Sequence, residues 1–362
     1  MCQNLYWVLR LRMVREVKIL PRVWNPRIEG LRGVSILLVF VFHLTNNTTH
    51  NWGALGVAVF FVISGYVITG SMFKQLANTT NSNLQVKKFL IDFYIRRGRR
   101  LLPLATLVIA TTLAISQLGA ENDKRQYFLS AVFCFLYIGN FFGFTFGYTD
   151  LAPALGHFWS LAIEEQFYLI WPILFVLGIK KLSRIRSFVG LITTGIMLIA
   201  ISHPLIAMAG VTVWTLPTTY FDLLLLGCGF RMITEKVENL KGYWLRIIQV
   251  AGLISFSAIV FVEKFPSTGA FSIFQYNFNF LVAGVSFVYA LNSKFFESKI
   301  LMFFGKISYS LYCIHAPLII YCRSFVGDSA LLMSLTGIIS VLLAFLSHKY
   351  FEPKFYKTAK ID

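Results

Sequence analysis

Ten runs of mostly apolar residues recur along this chain, at about 30 to 47, 55 to 73, 101 to 119, 159 to 178, 187 to 208, 217 to 235, 246 to 262, 271 to 292, 301 to 322 and 329 to 350. Each is close to the length that crosses a hydrocarbon core of about 30 Å. Inside hydrocarbon a backbone has no water to bond, so its N–H and C=O groups must be satisfied within the segment, and runs of this length dictate helices. Apolar residues fill 57% of the 362 positions and charged ones only 14%, far from soluble composition. The expected fold class is an all-α polytopic integral membrane protein with about ten transmembrane helices.

Charge placement sets the expected topology. The net charge is +17, but the cations fall in short clusters between apolar runs, as in cytoplasmic loops, and no nucleic-acid motif accompanies them. Arg10, Arg12, Arg15, Lys18, Arg22, Arg27 and Arg32 hold the N-terminal end on the cytoplasmic side. The apolar stretch at 127 to 147, YFLSAVFCFLYIGNFFGFTFG, decides the rest. If it crosses once, Lys180, Lys181, Arg184 and Arg186 fall outside; if it enters and returns, they fall inside with Lys294, Lys299, Lys357 and Lys360. The second arrangement is preferred, with a re-entrant segment and both termini cytoplasmic. The expected division is a basic cytoplasmic or interfacial segment at 1–26, one membrane domain at 27–355 and a short cytoplasmic tail at 356–362. Cys2, Cys134, Cys228, Cys313 and Cys322 lie in or beside apolar runs without metal-ligand spacing, so they are expected to pack as small hydrophobes, with no metal site.

The segment Arg27 to Leu44, RIEGLRGVSILLVFVFHL, carries a cation and a histidine on one helical face: Arg32 and His43 are eleven residues apart, three turns plus about 20°, or roughly 16 Å along the axis. An imidazole inside a hydrophobic span is costly without a purpose, which makes His43 a functional candidate; a hydrogen bond to a neighbouring helix is the plainer account. Gly156 to Pro172, GHFWSLAIEEQFYLIWP, sets Glu164 and Glu165 side by side at a helix start, about 100° apart, so that one acid can face the bundle. An inward carboxylate from this pair is expected to orient His43, making it a base able to take a hydroxyl proton.

A second intramembrane imidazole, His315, follows Ser308, Tyr309 and Tyr312 in FGKISYSLYCIHAP; interhelical hydrogen bonding is the expected role of each taken singly. FYIRRGRRLLP places Arg96, Arg97, Arg99 and Arg100 at the end of an inner loop running from 74 to 100, where guanidinium groups serve both as topology signals and as bidentate phosphate ligands. Asp222 joins the outer-half polar groups with Trp159. Glu352, in HKYFEPKF, belongs to an interfacial anchor. Phosphate-loop, Rossmann, HExxH and GxSxG patterns are absent.

Seven segments in order resemble the membrane acyltransferase-3 family, integral-membrane enzymes that O-acylate extracytoplasmic glycans: Arg32 with ten intervening residues and His43, GVAVFFVISGYVITG, FYIRRGRRLLP, HFWSLAIEEQFYLIWP, YFDLLLLG, FFGKISYSLYCIHAPL and FEPKF. The likeness covers about 27 to 355. It implies a bundle of about ten helices, acyl-coenzyme A as donor substrate with no tightly bound cofactor, and a sugar hydroxyl as acceptor. It further implies His43 as the catalytic residue, Glu164 as a second catalytic group, Arg32 as essential, and Arg96, Arg97, Arg99, Arg100, Trp159 and Ser160 as donor-binding or supporting residues. Asp222, Ser308, Tyr309, Tyr312, His315 and Glu352 complete the polar core. Two positions depart from the family pattern: Ala58 stands where an aspartate is usual, and Tyr220 where an arginine often precedes Phe221 and Asp222.

The function expected is therefore transfer of acetyl from acetyl-coenzyme A to a hydroxyl of an exported polysaccharide or lipopolysaccharide, in a bacterial cytoplasmic membrane. Its partners would be an extracytoplasmic glycan or glycolipid, membrane lipids and glycan-assembly or acyl-relay proteins. An acyl-histidine intermediate is the rival chemical route. A transporter or flippase is the alternative function, since polar groups inside a bundle also mark a conduction path. The chain ends soon after Glu352, and no soluble esterase-like domain is expected.

Overall fold

A computed structural model describes residues 25–46, 49–50, 52–77, 83–119, 123–144, 150–181, 185–208, 217–238, 240–261 and 270–356. All but the last two residues of the basic segment 1–26, and all of the tail 356–362 except Tyr356, lie outside the described residues.

The described chain is helical, with short 3₁₀ turns. Helix α1 (Pro26–Thr45) begins under an Asn25 cap, whose side chain accepts from the Arg27 N–H, and has Pro26 at its first position. Helices α2 (Trp52–Ala77) and α3 (Asn83–Ser116) follow, then the short α4 (Lys124–Phe135), two 3₁₀ turns, and α5 (Phe158–Lys181). Next come α6 (Ile185–Met208), α7 (Pro217–Met232), α8 (Thr234–Glu238), α9 (Gly242–Phe261) and α10 (Ala270–Leu291). Finally α11 (Lys299–Lys306), α12 (Ser308–Phe325), α13 (Ala330–Leu346) and α14 (Pro353–Tyr356) close the chain.

The expectation of about ten transmembrane helices is corrected. Among the described residues five helices are long and apolar enough to cross a membrane, within 26–45, 52–75, 86–116, 153–178 and 330–356, or six if α11 and α12, bent by 70° at Ile307, count as one. The physical reasons are local. Helix α7 has only 16 residues, about 24 Å at 1.5 Å per residue, before the chain breaks at Ile233. Within α6 the described apolar helix spans Ser187–His203. The stretch at 127 to 147, expected to be re-entrant and not among the ten, is described to Phe144: α4 has 12 residues, about 18 Å, and gives way to a 3₁₀ turn at Gly139–Phe144.

The expected inner loop at 74 to 100 is also replaced, because α3 runs unbroken from Asn83 through the arginines. Phe89, Phe93, Leu101 and Leu104 are buried along it while Arg99 and Arg100 are exposed. One apolar stripe thus docks the helix and leaves its other face to cations.

Packing at the centre depends on absent side chains. A Cβ added at Gly65 of α2 would lie 1.9 Å from the Leu224 carbonyl oxygen of α7, and one at Gly227 would lie 2.0 Å from that of Val62. The two backbones therefore touch directly, the small-residue mode of helix association in membranes. On α2, Ala58 is fully buried. Tyr220 packs its ring 5.1 Å from those of Phe61 and Trp159. Both departures from the family pattern are thus absorbed into apolar packing.

Candidate functional site

A cavity opens between α1, α2, α3, α5 and α12, with about 850 Å³ of empty space including its mouth. Arg32, Arg97, Arg100 and Ser308 supply cationic and polar groups to it; Phe60, Phe61, Val67 and Leu161 supply an apolar wall. Arg32 donates to Ser308 Oγ at 2.8 Å and lies 3.5 Å from Glu29. Of the four arginines in the RRGRR cluster, Arg97 and Arg100 line the cavity; Arg96 and Arg99 do not.

Arg97 is held from both sides. It contacts Glu164 at 3.1 Å and Glu165 at 3.4 Å, and its guanidinium lies 3.7 Å from the centre of the Tyr168 ring, a cation–π contact. Ser64 donates to Glu164 Oε1 at 2.6 Å, and the Tyr168 hydroxyl donates to the same oxygen. Adjacent acids on one helix thus converge on one arginine of another. Glu164 is accordingly the anchor of Arg97, and its hydrogen-bond partners do not include His43, contrary to the orienting role expected of it.

The partner of His43 is another imidazole. His43 Nδ1 lies 2.9 Å from the Val39 carbonyl and 3.3 Å from His315 Nε2. His315 is fully buried, and its Nδ1 lies 2.8 Å and 2.9 Å from the Leu311 and Tyr312 carbonyls. His157, buried as well, stands with its ring 5.4 Å from those of His315 and Tyr312. His43 and His157 are not on the cavity wall, but Tyr312 and Ser160 are. The Tyr312 hydroxyl is 2.5 Å from Ser160 Oγ and donates to the His157 carbonyl at 2.9 Å. The chain of contacts from cavity to His43 therefore runs through Tyr312 and His315.

The remaining predicted residues fall around this core. Tyr309 lines the cavity and donates to the Leu101 carbonyl at 2.5 Å. Trp159 packs beside Phe61 and Tyr220. Glu352 is buried, accepts from Ser310 near the start of α12 and lies 3.7 Å from His348. Asp222 accepts from Tyr276 and from the Leu223 N–H, in a separate buried cluster.

Sequence reasoning passed over His157, Ser64, Tyr168 and Tyr276. His157 was findable, since it opens the Gly156 to Pro172 stretch three residues before Ser160. Ser64 and Tyr168 carried no signal in isolation, because a hydroxyl becomes a carboxylate ligand only through helix contacts.

An acyltransferase domain family matches residues 25–348. The O-acetyltransferase OatA of Staphylococcus aureus strain NCTC 8325 / PS 47 is 27% identical over 365 aligned residues, covering 93% of this chain and 59% of that protein. The Putative O-acetyltransferase SAS0844 of S. aureus strain MSSA476 is 30% identical, covering 92% of this chain and 58% of its own length. The chain thus spans about three-fifths of these relatives. No solved structure matches it.

Proposed function

We propose that this chain, which belongs to the acyltransferase-3 family of acyltransferase domains, is a membrane O-acetyltransferase that moves acetyl from acetyl-coenzyme A to a hydroxyl of an extracytoplasmic glycan. Acetyl as the group and oxygen as the acceptor atom draw support from the names of the relatives. The observation that carries the reading is the arginine-walled cavity whose inner contacts lead through Tyr312 and His315 to His43.

Phosphates of the donor meet Arg32 and Arg100 at the wall, with Arg97 held in place by Glu164 and Glu165. The apolar wall takes the pantetheine arm, and the thioester reaches the level of Ser160 and Tyr312. His43 takes the proton of the glycan hydroxyl as its oxygen attacks the thioester carbon. The C–O bond forms, the C–S bond breaks, and the proton passes from His43 to the departing thiolate to give free coenzyme A. Glu164, tied to Arg97, acts on the donor side. The cation clusters at the start of α1 and along α3 support a cytoplasmic position for these ends in a bacterial inner membrane.

Mass spectrometry of surface glycans tests this in three strains: intact, deleted, and complemented with His43→Ala protein at matched membrane abundance. The expected result is loss of one acetyl mass on deletion, restored by the native chain and not by the variant. Restoration by the variant removes His43 from the chemistry; an unchanged glycan in all three strains removes the acceptor class.

A further inference from the structure

We infer that His315 is a positioning residue that, together with the Val39 carbonyl, holds the proton on Nδ1 of His43, leaving His43 Nε2 as the unprotonated base. This rests on the reading of His43 as that base.

His315 Nδ1 faces two carbonyl oxygens, those of Leu311 at 2.8 Å and Tyr312 at 2.9 Å. Carbonyls only accept, so Nδ1 carries the hydrogen and, in a neutral ring, Nε2 carries the lone pair. That lone pair faces His43 Nδ1 at 3.3 Å. The same His43 nitrogen faces the Val39 carbonyl at 2.9 Å. Two acceptors on one side require a hydrogen between them, so Nδ1 of His43 is protonated and Nε2 is bare. Among the described residues no hydrogen-bond partner meets that Nε2.

The helices make the arrangement rigid. His43 and His315 each bond the carbonyl four residues earlier on their own helix, which fixes both rings against α1 and α12. When His43 Nε2 takes a hydroxyl proton, the imidazolium keeps its Nδ1 hydrogen pointed at His315 Nε2 and the Val39 oxygen. A neutral imidazole here does the orienting that a carboxylate does in serine-hydrolase triads. It avoids burying a second full charge in the membrane.

The test uses the purified full chain in lipid nanodiscs. Nitrogen-15 NMR of histidine-labelled protein, with the His43 signals assigned by comparison with a His43→Gln sample, is expected to show a protonated Nδ1 and an unprotonated Nε2. A protonated Nε2 in the resting protein overturns the inference, whatever any variant does. In parallel, His315→Leu is expected to lower kcat on the order of 10–100-fold with the donor KM unchanged, while His315→Gln, whose amide oxygen accepts where Nε2 did, recovers part of the loss. Full kcat in His315→Leu overturns the inference and leaves the acyltransferase reading standing. Full transfer by His43→Ala overturns the acyltransferase role of His43 itself, a distinct result.

Discussion

Arg97 and Glu164, 67 positions apart in the chain, meet at 3.1 Å on the wall of the cavity. The pair joins α3 to α5 and commits the acid to an arginine instead of to His43. Removing Arg97 leaves both partly buried acids without their counterion, and removing Glu164 leaves Arg97 with Glu165 alone, each costing more than the pair contributes. Glu164→Gln and Arg97→Met are each expected to destabilise the protein, and the double variant less than their sum. A stability cycle in detergent should return a coupling of about 0.5–3 kcal/mol; strict additivity would dissolve the ion pair.

Donor recognition by phosphate makes a discriminating prediction. Arg32→Ala and Arg100→Ala are expected to raise the KM for acetyl-coenzyme A about tenfold, the equivalent of one charge-assisted hydrogen bond of about 1.5 kcal/mol. With S-acetylpantetheine, which lacks the nucleotide phosphates, the same variants should match the native chain. Equal penalties on both donors would place these arginines in folding and not in phosphate binding.

Tyr312 bridges Ser160 and the His157 carbonyl at the inner wall. Tyr312→Phe removes the hydroxyl and leaves the His157 carbonyl with only the longer side-chain bond from Ser160 Oγ at 3.4 Å, a loss worth about 1–3 kcal/mol. Lower melting temperature together with reduced kcat is the expected outcome, read by thermal unfolding and by initial rates. Ser160→Ala should show the smaller effect, since Tyr312 keeps its bond to the His157 carbonyl.

The glycine contact between α2 and α7 predicts an overpacking series. Gly65→Val and Gly227→Val place side chains against backbone within 2.0 Å and are expected to cost at least about 1–3 kcal/mol. Gly190, with nothing within 4 Å of an added Cβ, is the control: Gly190→Ala should leave folded yield unchanged in a detergent size-exclusion assay.

Much of the architecture was legible from patterning alone. Helices stand close to the apolar runs, and the seven motif segments supply most of the cavity wall and the His43–His315 pair. Membrane crossing was overcounted because apolarity says where a helix forms but not where it breaks. A 70° bend at Ile307 divides one expected span, and α7 stops after 16 residues. The arginine loop became helix because its cations share a turn with buried Phe89, Phe93 and Leu101, a stripe that the dense charge concealed.

The sequence by itself determined an all-helical membrane protein, its family, and the groups available for chemistry, since each follows from residue types and short spacings. Only the tertiary structure decided which groups meet. Glu164 and His43 were a reasonable pair by charge and depth, yet the acid faces Arg97 and the imidazole faces His315. Side-chain partnership depends on the rotation and crossing of whole helices, and those are fixed by contacts such as Gly65 against Leu224, where two distant segments touch backbone to backbone.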